Sequence, residues 1–274
     1  MTDKNKNLVL RIVSAIVLLP IVVFLLYKGG YYAAALIGVA AALCTYEYYL
    51  IVQKKLSPAG IVGVIAAGVL PILPVAAPQS AMEAAFWTVG GMFIFSWAYH
   101  LIRGPLGEAP TLSAHLITGL IYGSLGLTAV SAIRNIHDGL WWVICTLAIT
   151  WLNDTFAYFF GRFLGKRKLY PAVSPNKTWE GFFGGLLGSL VAMFVIRAVF
   201  FKHLSVQDCL ALGVIGGTFG PVGDLCESML KRAYGVKDSG KILPGHGGML
   251  DRIDALIFNA PLVFVYIRFV KGWM

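Results

Sequence analysis

Long apolar runs alternate with short, basic connections along nearly the whole chain. Apolar segments of roughly 17–25 residues can each cross a bilayer as a helix. About nine candidates of that kind are present, at 8–27, 31–52, 59–77, 81–102, 114–133, 139–160, 179–201, 206–228 and 253–270. The pattern predicts an all-α, polytopic transmembrane helical bundle. The third candidate, with Pro71 and Pro74, and the glycine-rich eighth have the softest boundaries. Broken helices of that kind are tolerated where they line a protein cavity. The first run, LVLRIVSAIVLLPIVVFLL, follows basic residues as a signal peptide would. It is long for a signal h-region, and no clear small-residue cleavage site follows, so it is expected to be retained as a span.

Composition sharpens this reading. Of 274 residues, 58% are hydrophobic and 13% charged, against about half and about a quarter in an ordinary soluble domain. The mean hydropathy is +0.76, and the number of long apolar runs excludes a soluble protein with an unusually large core. Cys44, Cys145, Cys209 and Cys226 stand singly in apolar surroundings, with neither metal-ligand nor disulfide spacing, and read as small buried hydrophobes. The formal charge of +9 points to cytoplasmic loops and anionic substrates. No aromatic-interleaved basic module suggests nucleic acid as a partner.

The basic residues also orient the spans. With the N-terminus in the cytoplasm, that side receives Lys4, Lys6, Lys54, Lys55, Arg103, Arg162, Lys166, Arg167, Lys168, Lys177, Lys231, Arg232, Lys237 and Lys241. The opposite side receives Lys28, Arg134, Lys202 and Lys271, with Arg197 and Arg268 near helix ends. This asymmetry follows the positive-inside rule and favours an odd number of spans. Polar, charged and glycine residues concentrate after Trp151. The expected division is therefore a transmembrane scaffold over residues 1–150 and a catalytic transmembrane half over 151–274.

Ionisable residues inside spans are costly and mark a site by default. Glu47, Asp154, Glu180, Asp224, Glu227, Asp251 and Asp254 are the candidates. Glu47, among tyrosines in CTYEYYL, reads as an interfacial or helix-packing residue. Asp154 needs a base to pair with, or a site to organise. In GDLCESMLKR, the spacing puts Asp224, Glu227 and Ser228 on one helical face with Lys231 a turn further on. A divalent cation would relieve the repulsion of the two acids, and a salt-bridged helix end with Lys231 and Arg232 is the alternative. Asp251 and Asp254 repeat the device in MLDRIDAL, where capping of the last span is the alternative. The connection between the acid pairs carries Lys231, Arg232, Lys237, Lys241 and Arg252 with Gly240, Gly245, Gly247 and Gly248. Bases and exposed backbone amides suit phosphates, and acids can hold Mg²⁺ between phosphate oxygens. His246 could donate to a phosphate, serve in acid–base chemistry, or shape the glycine turn. The remaining histidines, His100, His115, His137 and His203, read as interfacial.

A second cluster lies in GRFLGKRKLYPAVSPNKTWEG. Ser174, Asn176, Lys177 and Thr178 could bind a nucleotide or phosphate, with Glu180 opening the next helix. A basic loop with a turn and a helix cap at Ser174–Asn176 is the alternative. Lys166–Lys168 read as topology signals and contacts to anionic lipid.

The run SMLKRAYGVKDSGKILPGHGGMLDRID resembles the signature of the phosphatidate cytidylyltransferases, the CDP-diacylglycerol synthases: S-x-x-K-R, four residues, K-D-x-G, then H-G-G-x-x-D-R-x-D. Every specified position is filled. SPNKTWEG and NDTFAYFFGR resemble two further segments of that family, whereas the first half of the chain resembles it only in hydropathy.

The resemblance implies transfer of CMP from CTP to phosphatidate, with release of pyrophosphate, in phospholipid synthesis. It implies an Mg²⁺-dependent enzyme, with a second cation open, that forms homodimers in the lipid bilayer. The implied metal carboxylates map onto Asp224 and Asp251. Lys231, Arg232 and His246 are the other candidate catalytic residues. Ser174, Asn176, Lys177, Thr178, Ser228, Lys237, Asp238, Lys241, Arg252 and Asp254 are the candidate substrate contacts. The expected location is a bacterial inner membrane, with the site facing the cytoplasm and no targeting extension. A CTP-using lipid kinase and an ion or anion transporter are the competing readings. The kinase would release CDP; a transporter more often shows paired half-helices or internal repeats, and neither is seen.

Overall fold

The computed structural model describes residues 3–272. Among these residues it is all-α apart from one small hairpin. All nine predicted spans correspond to helical segments. Eight are long and apolar enough to cross a membrane: α2 (Gly30–Gln53), the broken helix Pro58–Ala76, α5 (Ala81–Arg103), α6 (Ala109–Arg134), α7 (Gly139–Phe163), α8 (Trp179–Val199), α9 (Val206–Ala233) and α10 (Leu250–Val265) with its π-helical extension Tyr266–Lys271. The remaining candidate falls on the first helix, α1 (Asp3–Lys28), whose described apolar part, Ile16–Lys28, is shorter than the other eight. The side chains of Lys4 and Lys6 lie outside the described residues. The chain is an integral membrane protein.

The soft boundaries have local causes. Ser57 caps α3 (Pro58–Val69) by accepting the Gly60 amide at 3.0 Å, and Pro58 occupies its first position. Pro71 and Pro74 then remove two helical donors. The chain passes through a 3₁₀ turn at Leu70–Ile72 into the single turn α4 (Leu73–Ala76). By contrast, α9 stays continuous through Pro221 and its glycines. The hairpin, β1 (Lys168–Tyr170) with β2 (Ser174–Thr178), is antiparallel and lies in the basic connection before α8.

Two compact units are built from these elements. One contains Met1–Asn135 and Tyr234–Ile253, the other Ile136–Ala233 and Asp254–Met274. In the first unit, α2 packs on α3 and α6. The buried Tyr49 donates its hydroxyl to Leu116 O at 2.7 Å, in a core with Leu116, Leu120 and Ile133. In the second, α8 packs between α7 and α9 around Ile149, Met193 and Leu212. Lipid is as apolar as leucine, so close packing and interhelical hydrogen bonds must hold such helices together. Ser189 on α8 donates to Ile149 O on α7 at 2.8 Å, and Asn259 on α10 donates to Thr150 Oγ1 at 3.0 Å.

Gly188 is one point where α8 approaches α7 closely. A Cβ there would stand 2.8 Å from Phe156 Cβ. Gly188→Val is therefore expected to lower stability by about 1–3 kcal/mol, the usual cost of overpacking. Reversible unfolding of the detergent-solubilised protein measures it; an unchanged midpoint would contradict the packing.

Candidate active site

The second unit places charge from four elements together. Asp154 comes from α7, Lys177 from β2, Asp224 from α9 and Asp254 from α10. Lys177 Nζ lies 2.7 Å from Asp224 Oδ2, both side chains being partly exposed, and 3.5 Å from Pro221 O. Ser228, one turn after Asp224, donates its hydroxyl to Asp224 Oδ1 at 3.3 Å. Asp154 and Asp254 both interact electrostatically with Asp224 and with Lys177. Asp154 and Asp254 therefore lie within electrostatic range of the Lys177–Asp224 pair, and a site with three acids and one ammonium group attracts further cations.

The hairpin holds Lys177 in place. Lys168 pairs with Thr178 and Tyr170 with Ser174, with an irregularity between the pairs. Thr178, not the Ser174–Asn176 turn, caps α8, its buried hydroxyl accepting from Gly181 N at 3.1 Å. Glu180 in the first turn of α8 accepts the amides of Lys166 (3.1 Å) and Arg167 (3.2 Å), fastening the strand entry. Lys177 is thus fixed at the end of a short strand leading directly into a capped helix. Asn176 is exposed and Ser174 half-buried.

The other predicted residues have different surroundings. Lys231 pairs with the buried Glu227 at 2.8 Å, as the salt-bridge alternative expects. Exposed Arg232 reaches Val173 O at 3.5 Å. In the first unit, Asp251 Oδ2 accepts from Ser239 N at 2.9 Å and Gly248 N at 3.1 Å, matching the capping alternative. Lys237, Asp238, Lys241 and Arg252 are exposed, and Arg252 Nε donates to His246 O at 2.9 Å.

His246 lies in a tight turn. Leu243 N donates to Gly247 O (2.9 Å), and Gly247 N donates back to Leu243 O (3.1 Å). The turn requires φ +89° at Gly247, which a side chain would oppose. The imidazole Nδ1 is 3.0 Å from Ser14 Oγ of α1. The His246 backbone thus lies inside the turn, while its side chain reaches α1.

Two expectations change. Glu47 is neither interfacial nor a simple packing residue: it is buried and accepts hydrogen bonds from the signature loop. His100 lies in the last turn of α5, near a span end as expected, but inside the protein rather than on its surface. It is buried, with Nδ1 2.9 Å from Ser96 O and 3.0 Å from Ser113 Oγ. An acid inside an otherwise apolar span was the available signal for Glu47.

The atoms on offer are of the kind a hard divalent cation prefers, although they do not make a donor set by themselves. Asp154, Asp224 and Asp254 offer only oxygen, the preference of Mg²⁺. Among the described residues, no group of three or more Asp, Glu, His or Cys side chains is placed to hold a metal ion by itself. Mg²⁺ is commonly held by one or two carboxylates plus water and substrate phosphates, so an incomplete protein shell suits a phosphate-bearing substrate.

Residues 9–270 match the profile of the cytidylyltransferase family. The chain belongs to that family. It is similar to proteins named phosphatidate cytidylyltransferase from three staphylococci. Identity is 43% with that of Staphylococcus epidermidis, 44% with that of Staphylococcus haemolyticus and 42% with that of Staphylococcus aureus, each over 155 residues. The matched region covers 57% of this chain and 59% of each relative. The family match takes in the hairpin, α9 and the signature loop.

Proposed function

We propose that the protein is a phosphatidate cytidylyltransferase, converting CTP and phosphatidate into CDP-diacylglycerol and pyrophosphate. The observation that carries this reading is the meeting of three family-like segments in the second unit. Lys177 of SPNKTWEG pairs with Asp224, one turn before the signature serine Ser228, while Asp154 of NDTFAYFFGR interacts with the same pair.

In this mechanism a phosphatidate oxygen attacks the α-phosphorus of CTP. A new P–O bond forms as the bond to the β-phosphate oxygen breaks, and pyrophosphate leaves with the electron pair. Phosphatidate is already an anion at neutral pH, so no protein nucleophile is required. Asp224, and by the family resemblance Asp251, are the carboxylates proposed to carry Mg²⁺. When bound, the metal would neutralise charge on the transferring nucleotide and the leaving group. Lys177 holds Asp224 in one geometry and supplies positive charge beside it. Lys237, Lys241, Arg232 and Arg252 are proposed to orient phosphate oxygens, and positioning with electrostatics carries the rate. The reading includes a cytoplasm-facing site in a bacterial inner membrane and assembly as a homodimer.

Pyrophosphate release from CTP tests the proposal. Release that requires both phosphatidate and Mg²⁺ is expected. Release of CDP would instead favour a lipid kinase, and turnover of neither nucleotide bond would favour a transporter.

A further inference from the structure

We infer that Glu47 is a positioning residue, which clamps the neck of the glycine-rich loop from a helix remote in sequence. The inference rests on the proposed function only in taking that loop to handle CTP phosphates. Glu47 lies on α2 and is 1% exposed. Its Oε1 accepts from Met249 N at 3.0 Å. Its Oε2 accepts from Leu250 N at 2.9 Å and from the Ser239 hydroxyl at 2.9 Å. Ser239 continues the network: its amide donates to Asp251 Oδ2 at 2.9 Å, and its Oγ accepts from Asp251 N at 3.3 Å.

The carboxylate therefore joins both ends of the loop. One end is Ser239; the other is the start of α10, where backbone amides have no intrahelical acceptor. An acid there satisfies those donors and complements the helix dipole. The usual device is a local capping side chain, whereas here the acid comes from α2. Everything between the clamped ends, including Lys241 and His246, is held by this fastening, and Arg252 follows in the first turn of α10.

Two signature glycines supply the space. A Cβ at Gly240 would overlap the Glu47 carboxylate, and one at Gly248 would stand 2.6 Å from Glu47 Oε2. These glycines give the acid access to the loop backbone, beyond any contact with phosphate. Glutamine at position 47 would keep the size, but its amide nitrogen would face a backbone N–H or the serine hydroxyl. One arm of the clamp would be lost.

The test uses the full chain in detergent with Glu47→Gln and, separately, Gly240→Ala, which displaces the acid without removing it. Hydrogen exchange without substrate should accelerate about tenfold at residues 239–250 in both variants, reflecting lost hydrogen bonds to a charged acceptor. Exchange in α7 and α8 should stay at wild-type rates. The KM for CTP should rise about tenfold while kcat falls less. Adding Ser239→Ala to Glu47→Gln should be clearly less than additive, because the two side chains share one network. Wild-type exchange in the loop of either folded variant overturns the clamp. Acceleration throughout the protein also overturns it, since that marks a general structural role. If the exchange pattern appears but the wild-type protein does not turn over CTP with phosphatidate, the proposed function falls and the clamp stands.

Discussion

Asp224→Asn is expected to reduce CDP-diacylglycerol formation by about three orders of magnitude, while the melting temperature stays within a few degrees of wild type. The substitution is nearly isosteric, and Asn Oδ1 can still accept from Lys177 or from the Ser228 hydroxyl. The helix does not depend on this carboxylate for packing, because Asp224 is partly exposed whereas Gly213, Gly216, Gly217, Gly220 and Gly223 are buried along α9. What disappears is the negative charge paired with Lys177, at the centre of a cluster that one lysine does not neutralise. In the proposed mechanism that charge holds the cation which neutralises the departing pyrophosphate. A second readout separates binding from chemistry: Mg²⁺ with CTP should raise the wild-type melting temperature, as any ligand of the native state does, and the variant should lose most of that shift. A variant with wild-type turnover and an undiminished shift would remove Asp224 from the site.

Lys177→Met is expected to have the second largest effect, a loss of roughly a hundredfold in activity. Here the consequence for stability is small, at most about 1 kcal/mol, because the pair with Asp224 is partly exposed and solvent screens it. The loss in activity comes from elsewhere. Without the ammonium group, Asp224 loses its fixed counter-charge within electrostatic range of Asp154 and Asp254, and incoming triphosphate meets uncompensated charge. Lys177→Arg should recover part of the activity, since it restores charge but replaces a compact ammonium with a planar fork. Steady-state kinetics on the purified protein, paired with thermal unfolding, distinguishes this pattern from misfolding. Equal activity in Lys177→Met and wild type would show that the Lys177–Asp224 pair is structural only.

Much of the architecture was legible because spans are written in continuous apolar runs, and helices satisfy their own backbone in lipid. The broken Pro58–Ala76 helix was legible for a related reason: prolines mark where donors are missing. The hairpin was not. Its strands are three and five residues long, lie in a basic connection and carry no apolar alternation. Its consequence for the site was hidden as well, since nothing in SPNKTWEG indicates that Lys177, rather than Lys166 or Lys168, reaches Asp224.

The acids were identifiable from the cost of charge in a span, but their partners were not. Asp224 and Asp251 read alike in sequence, each leading an acid pair. In the structure Asp224 faces a lysine and a serine, whereas Asp251 accepts two loop amides. Glu47 was visible as an intramembrane acid, yet its partners Ser239, Met249 and Leu250 lie far along the chain. Spacing rules report only neighbours on the same helix.

The most direct test of the proposed chemistry follows the phosphorus atoms. CTP radiolabelled at the α-phosphorus, and separately at the γ-phosphorus, is incubated with the purified protein, phosphatidate and Mg²⁺, and the lipid is extracted. The expected result is α-label in the lipid fraction with γ-label remaining in aqueous pyrophosphate. Transfer of γ-label to lipid, or no α-label in lipid, would contradict cytidylyl transfer.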